Sequence, residues 1–160
     1  MTVAAIGLGA NLGNPAAQIE QAILHLAGIR QCTLLARSRL YRSAAIGPEG
    51  QPDYCNAAAL IDTDLEPLEL LSALQGIETA CGRQRAGPRW GARILDLDLL
   101  FFGELISAHP HLTLPHPELA RRNFVLTPLA EIASAVSIPG LGVVADLAAA
   151  LPQNGLRLWQ

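Results

Sequence analysis

The chain has no lysine: all 11 of its basic residues are arginine. A Schiff-base lysine, a lysine general base and a phosphate-loop lysine are thereby excluded, whereas arginine's planar fork of donors remains available for bidentate contact with phosphate. Cysteine is scarce as well. Cys32, Cys55 and Cys81 form an odd set without C-x-x-C spacing, so neither a disulfide framework nor a zinc site is indicated, and reduced thiols fit. The first residues lack the basic start and long apolar run of a secretory signal, and no apolar run reaches membrane-spanning length. Even the alanine-rich stretch after Ile132 is interrupted by Pro139, Gly140, Gly142 and Asp146. A cytoplasmic protein is expected. Neither sign of charge dominates: the formal net charge is −3 and the pI about 5.7, so no overall electrostatic grip on nucleic acid or an anionic membrane is expected. Any phosphate binding must come from local charge.

What is present is enough for one core. A length of 160 residues and a 51% hydrophobic composition imply a single domain over 1–160. Residues 2–8 read as a short buried strand and 9–14 as a turn-rich loop. Asn14 then caps a helix with Pro15 at its first position and an apolar stripe of Ile19, Ile23 and Leu26. Residues 32–41 and 54–61 are the next strands, joined by a connection over 42–52 with two glycines and two prolines. A second helix spans about 67–80 with Leu70, Leu74 and Ile77 inward, while Gln75 and Glu78 share another face. A basic loop over 82–93 leads into a fourth strand over 94–102.

This β-α-β-β-α-β order is the ferredoxin-like split βαβ arrangement of the α+β class, an antiparallel sheet with two helices on one face. Residues 109–117 read as loop and 117–131 as short helical turns. A last helix over 143–151 is expected to cover the other face and make three α/β/α layers. The architecture hosts RNA binders, ligand sensors and enzymes alike, so the site must decide between them.

The chemistry concentrates between Arg83 and Asp98. In a strand side chains alternate, so Asp96 and Asp98 point one way and Leu95, Leu97 and Leu99 the other. The two aspartate backbones are then about 6.6 Å apart, which suits one shared cation or two neighbouring ones. A generic D-x-D simply faces water. Here, however, two poor strand formers sit inside an apolar run, and the loop before them carries Arg83, Arg85, Arg89 and Arg93 with no acid between Glu78 and Asp96. Like charges at ~4 Å repel by about 4 kcal/mol at an effective dielectric of ~20, so an anion is expected among these arginines. Divalent metal on the aspartates and polyphosphate on the arginines each supply the charge the other lacks. Carboxylate ligands without a cysteine or histidine pair favour Mg²⁺ over Zn²⁺.

A second group of residues suits a flat heterocycle. Tyr54 stands at a loop-to-strand boundary where its ring can wall a pocket, and Asn56, two residues on, can both donate to and accept from a heterocycle edge. Phe124 is the candidate facing wall, although one Phe equally fits a core. His116, between Pro115 and Pro117, sits near Arg121 and Arg122, which extends the phosphate-contacting surface without identifying a base.

These segments together resemble the 6-hydroxymethyl-7,8-dihydropterin pyrophosphokinase family. The likeness runs from Gly9-Ala10-Asn11-Leu12-Gly13 through Gln51-Pro52-Asp53-Tyr54-Cys55-Asn56-Ala57-Ala58 to Gly82-Arg83-Gln84-Arg85, Arg89-Trp90-Gly91-Ala92-Arg93, Leu95-Asp96-Leu97-Asp98, Leu114-Pro115-His116 and Arg122-Asn123-Phe124-Val125-Leu126. The composite from Gly82 to Asp98 is the specific part. By this resemblance the terminal diphosphate of ATP passes to the pterin hydroxymethyl oxygen and AMP leaves. Asp96 and Asp98 would hold two Mg²⁺ ions, one bridging the α- and β-phosphates and the other β and γ. Arg83 and Arg93 would compensate charge in the transition state. Tyr54 and Phe124 would sandwich the pterin with Asn56 at its edge, and Gln75, Glu78, Arg85, Arg93, Leu99, His116 and Arg122 would surround ATP. The connection 42–52 and the loop 82–91 would close over both substrates.

Members of that family usually carry serine, proline and threonine where Ala10, Ala92 and Ile94 stand. These departures imply altered loop stiffness and unchanged chemistry. His111 occupies a place where some members have an arginine near ATP. A monomer acting on ATP and the reduced pterin, without nucleic acid or membrane, is the expectation. The rival classes are a ligand sensor of the same architecture and a metal-dependent nucleotidyl or phosphohydrolase enzyme.

Overall fold

The computed structural model describes residues 1–44, 52–81 and 95–160. Strand β1 (Thr2–Ala10) is followed by helix α1 (Pro15–Ala27), strands β2 (Cys32–Arg37), β3 (Tyr41–Ser43) and β4 (Tyr54–Thr63), helix α2 (Pro67–Ala80) and strand β5 (Asp96–Phe102). A hairpin of β6 (Ser107–His109) and β7 (Leu112–Leu114) comes next, then a 3₁₀ turn at Leu119–Arg121 and helix α3 (Asn123–Ala133). The chain ends with the hairpin β8 (Ser137–Ile138) and β9 (Gly142–Val143), helix α4 (Val144–Ala149) and strand β10 (Arg157–Leu158).

The helix starts follow from their sequences. Asn14 accepts a hydrogen bond from the Ala17 amide at 3.2 Å, and Pro15, with no amide hydrogen to satisfy, opens α1. Glu66 and Glu69 form a capping box before α2, with the Glu66 amide donating to Glu69 Oε1 at 3.0 Å. Ile19, Ile23 and Leu26 of α1 and Leu70, Leu74 and Ile77 of α2 are buried, as their spacing predicts.

The main sheet runs β10-β3-β4-β1-β5, with β2 also paired to β4, and every pairing is antiparallel. The predicted single strand over 32–41 is in fact two, because Ser38 interrupts the ladder. Its amide donates to the Ala58 carbonyl at 2.8 Å and its Oγ accepts from the Ala58 amide at 2.9 Å, so one residue takes both ladder bonds. Other boundaries move as well. β1 continues through Gly9 and Ala10, which the sequence places in a loop, because both pair with Asn56 and Cys55 of β4. Residues 109–117 contain the second strand of a hairpin, and 123–133 form one continuous helix in place of short turns. Strand β10 has no signal in the sequence and exists only through its pairing with β3.

Two hydrophobic clusters flank the sheet. One joins α1 and α2 to Ala4, Ile6 and Leu8 of β1, Ala57, Ala59 and Ile61 of β4, and Leu97 and Leu99 of β5. The other joins α3 to Ala5, Ala58, Leu100 and Phe101. Glu131 of α3 accepts hydrogen bonds from Tyr41 Oη and, at 2.8 Å, from the Arg39 amide, which fastens that helix to the β3 side of the sheet.

Candidate active site

Antiparallel register places chemistry at one end of the α3 face. Asn56 of β4 pairs with Gly9 of β1, and Gly9 pairs with Asp96 of β5; one step along, Ala58 pairs with Gly7 and Gly7 with Asp98. The intervening row, Ala57, Leu8 and Leu97, points to the opposite face and is core. Asn56 and Asp96 therefore stand two strand spacings apart, about 10 Å between backbones, on either side of a residue with no side chain.

Above these rows lies a cavity of about 300 Å³. Its walls include Tyr54, Asn56, Asp96, Asp98, Arg122 and Phe124, so the structure unites six sequence-predicted site residues. Both aspartates face the cavity, as the strand alternation predicts; Asp96 is half-buried and Asp98 exposed. The Arg122 guanidinium carbon lies 5.6 Å from the centre of the Phe124 ring, so a cation and an aromatic face arrive together at the start of α3.

Asn56 is 4% exposed, and its amide is oriented by a residue the sequence did not single out. Nδ2 donates to Ser43 Oγ at 2.8 Å, which turns Oδ1 toward Gly9. Gly7 and Gly9 were also missed as site residues. A G-x-G inside a strand pattern was the available signal, since glycine within a strand marks close approach by a ligand or another chain segment. Cys55, between Tyr54 and Asn56, points into the core; burial pushes its thiol up to about 12, which keeps it un-ionised at neutral pH.

The backbone between the two aspartates has its own anchor. Glu78, near the end of α2, is only 6% exposed and its Oε2 accepts from the Leu97 amide at 2.9 Å. Sequence periodicity puts Glu78 beside Gln75 on a polar face, but the structure turns Glu78 inward and leaves Gln75 exposed. A buried carboxylate needs strong donors, and an edge-strand amide supplies one. His116, after the cis Leu114–Pro115 bond, also reaches β5: its amide donates to the Leu100 carbonyl at 2.8 Å. Glu78 and His116 are thus both fastened to β5. The Leu99 side chain packs in the core under α1 and α2, and His111 is exposed in the β6–β7 turn.

Arg83, Arg85, Arg89 and Arg93 lie outside the described residues, as do the loop 82–91 and most of the connection 42–52. Among the described residues no group of three or more His, Cys, Asp or Glu is placed to hold a metal ion. Two carboxylates facing one cavity nevertheless fit Mg²⁺, whose remaining positions are ordinarily filled by water and substrate phosphate. The donor set, oxygen without sulfur or imidazole, has the same preference.

An antiparallel sheet flanked by helices, with two aspartates and two aromatic rings lining a cavity at one end, is the frame of a candidate group-transfer enzyme. The family model for 7,8-dihydro-6-hydroxymethylpterin-pyrophosphokinase matches residues 5–134, and the chain belongs to that family. It is 43% identical over 147 residues to the 2-amino-4-hydroxy-6-hydroxymethyldihydropteridine pyrophosphokinase of Haemophilus influenzae, covering 92% of this chain and 91% of the relative. It is likewise 43% identical over 152 residues to the Pseudomonas aeruginosa protein of that name, covering 95% and 93%. The Bacillus subtilis protein of that name is 37% identical over 158 residues, covering 99% and 90%. Among solved structures, Plasmodium falciparum HPPK-DHPS with SDX-DHP superposes with a TM-score of 0.70 at 14% identity, covering 93% of this chain. The chain spans 43% of that longer protein, and the likeness is one of fold.

Proposed function

We infer that this chain transfers the diphosphate of ATP to the hydroxymethyl group of 6-hydroxymethyl-7,8-dihydropterin, giving AMP and the pterin diphosphate for folate biosynthesis. The observation that supports the reading is the row Asn56, Gly9, Asp96, in which a side-chain amide and a carboxylate share one floor of a cavity that Tyr54 and Phe124 also line. Tyr54 and Phe124 clasp the pterin ring, and Asn56 Oδ1, held by Ser43, accepts from an N–H at its edge. Asp96 and Asp98 would hold two Mg²⁺ ions, which when bound neutralise the triphosphate and favour departure of AMP. Arg122, which lines the cavity, would meet phosphate there. Arg83 and Arg93 are assigned to the charge that builds up as the bond to the α-phosphate oxygen breaks. Gln75, Glu78, Arg85 and His116 complete the nucleotide side, with Glu78 and His116 acting at the edge of β5, where Leu99 would take part through its backbone alone.

The finer fold reading is a ferredoxin-like split βαβ core in three α/β/α layers, supported by the sheet order and by clusters on both faces of the sheet. Residues 1–160 act as one domain, a cytoplasmic monomer that binds ATP and the reduced pterin without nucleic acid or membrane. No helix among the described residues is long and apolar enough to cross a membrane. Incubation with Mg-ATP and the reduced pterin tests the reaction. AMP and a pterin diphosphate are expected; ADP, free pyrophosphate or no turnover overturns the assignment.

A further inference from the structure

Gly7 and Gly9 lie on the same strand and the same face, two residues apart, yet their surroundings differ. A Cβ at Gly7 would meet the Leu100 side chain at 3.3, 3.5 and 3.6 Å, because Leu100 folds over that position from β5. The register shift between Ala5 and Ile6 makes this possible: Ile6 pairs with Leu99 and Ala5 with Phe101, leaving Leu100 as the extra residue. Gly7 also lines the cavity, but the space its Cβ would take is already filled by packing. Among the described residues a Cβ at Gly9 would meet only Asn56 Oδ1, at 3.7 Å, an ordinary contact distance. Gly9 lines the cavity, and the direction in which its missing side chain would point is into that space.

We propose that Gly9 is a specificity-determining residue of the acceptor subsite, its bare backbone being the surface against which the edge of the heterocyclic ring comes to rest. The proposal rests on the reading of the cavity as the pterin subsite. Asn56 Oδ1 is the acceptor for a ring N–H, and such a donor must approach to ~2.9 Å. The volume beside Oδ1 that the donor needs is the volume a Gly9 methyl would fill. Any larger residue pushes the ring away from Asn56 and away from Asp96, across the row where the hydroxymethyl arm must meet the diphosphate. ATP has no need of this tile.

Gly9→Ala is the direct test, with Gly7→Ala beside it, each compared with the wild-type chain in pterin and ATP-analogue titrations and in thermal melts. Gly9→Ala is expected to keep the wild-type melting temperature and ATP-analogue affinity and to lose pterin affinity by roughly 10- to 100-fold, the size of an overpacking penalty. Gly7→Ala is expected to melt earlier. Unchanged pterin affinity in Gly9→Ala, or equal losses for pterin and ATP analogue, overturns the proposal. Should Gly9→Ala fail to fold, the wild-type chain still decides by NMR. Saturation with the pterin should move the Gly9 amide and Hα resonances far more than those of Gly7, and a stationary Gly9 overturns it. A wild-type chain that binds ATP analogue and no pterin overturns the pterin reading itself and this inference with it.

Discussion

The two faces of the strands β4, β1 and β5 are built from the same segments and do opposite work. On one face Ala57, Leu8 and Leu97 align in a row that α1 and α2 cover completely. On the other, Asn56, Gly9 and Asp96 align in a row that α3 leaves open, because the helix begins only at Asn123 and its first residues form the cavity wall. One residue of register separates a dry core from a polar site. The comparison teaches that the site is cheap in sequence terms: alternate positions of ordinary strands supply it, and the apolar positions between them hold it rigid.

Asp98→Ala breaks the comparison on its open side. Turnover is expected to fall more than ~1000-fold, the equivalent of about 4 kcal/mol, because half of the proposed metal-binding carboxylate pair is gone. Asp98 is exposed, so the melting temperature should hold, and a collapsed melt would instead make the aspartate structural. Leu97→Ala, one residue away, should do the reverse. Leu97 is 5% exposed in the core, so truncation is expected to cost about 3 kcal/mol in urea unfolding while turnover well below the melting temperature stays within tenfold.

The contact between the faces can be probed at Glu78. Glu78→Leu leaves the Leu97 amide without its acceptor and should cost about 1–3 kcal/mol of unfolding free energy, whereas Glu78→Gln keeps a carbonyl oxygen and should cost less. Equal losses for the two variants would show that the anchor on β5 is not what matters.

The smallest effect expected is on the α3 side. Burial pushes the Glu131 carboxyl up, but hydrogen bonds from Tyr41 and Arg39 and the Arg39 charge outweigh it and hold it below the ordinary carboxylate range. A carboxylate depressed in the folded state stabilises fully above its unfolded pKa, about 4.3, and loses that contribution as pH falls through the folded value. Glu131→Gln is therefore expected to lower stability at pH 7 by about 1 kcal/mol and to differ less from wild type near pH 3. A variant that loses as much at pH 3 as at pH 7 would place the effect in packing and not in the charge.

Local patterns made a large part of this legible in the sequence. Strand alternation fixes Asp96 and Asp98 on one face whatever the sheet does around them, and Asn14 with Pro15 marks the start of α1 from a few neighbouring residues. Tyr54 and Asn56 share a face for the same reason. Composition and the charge of the basic loop led to the expectation of phosphate chemistry beside the aspartates, and that loop lies outside the described residues.

What lay beyond local pattern was every relation across strands. Gly9 reads as a turn residue until its pairing with Asn56 and Asp96 makes it the floor of a cavity. Glu78 reads as half of a polar helix face until the Leu97 amide on the sheet edge draws it inward. Ser43 has no role until it meets Asn56 across the β3–β4 pair. Such pairings join residues tens of positions apart, and their register is set by which apolar faces can be buried together. Tertiary packing alone decides that.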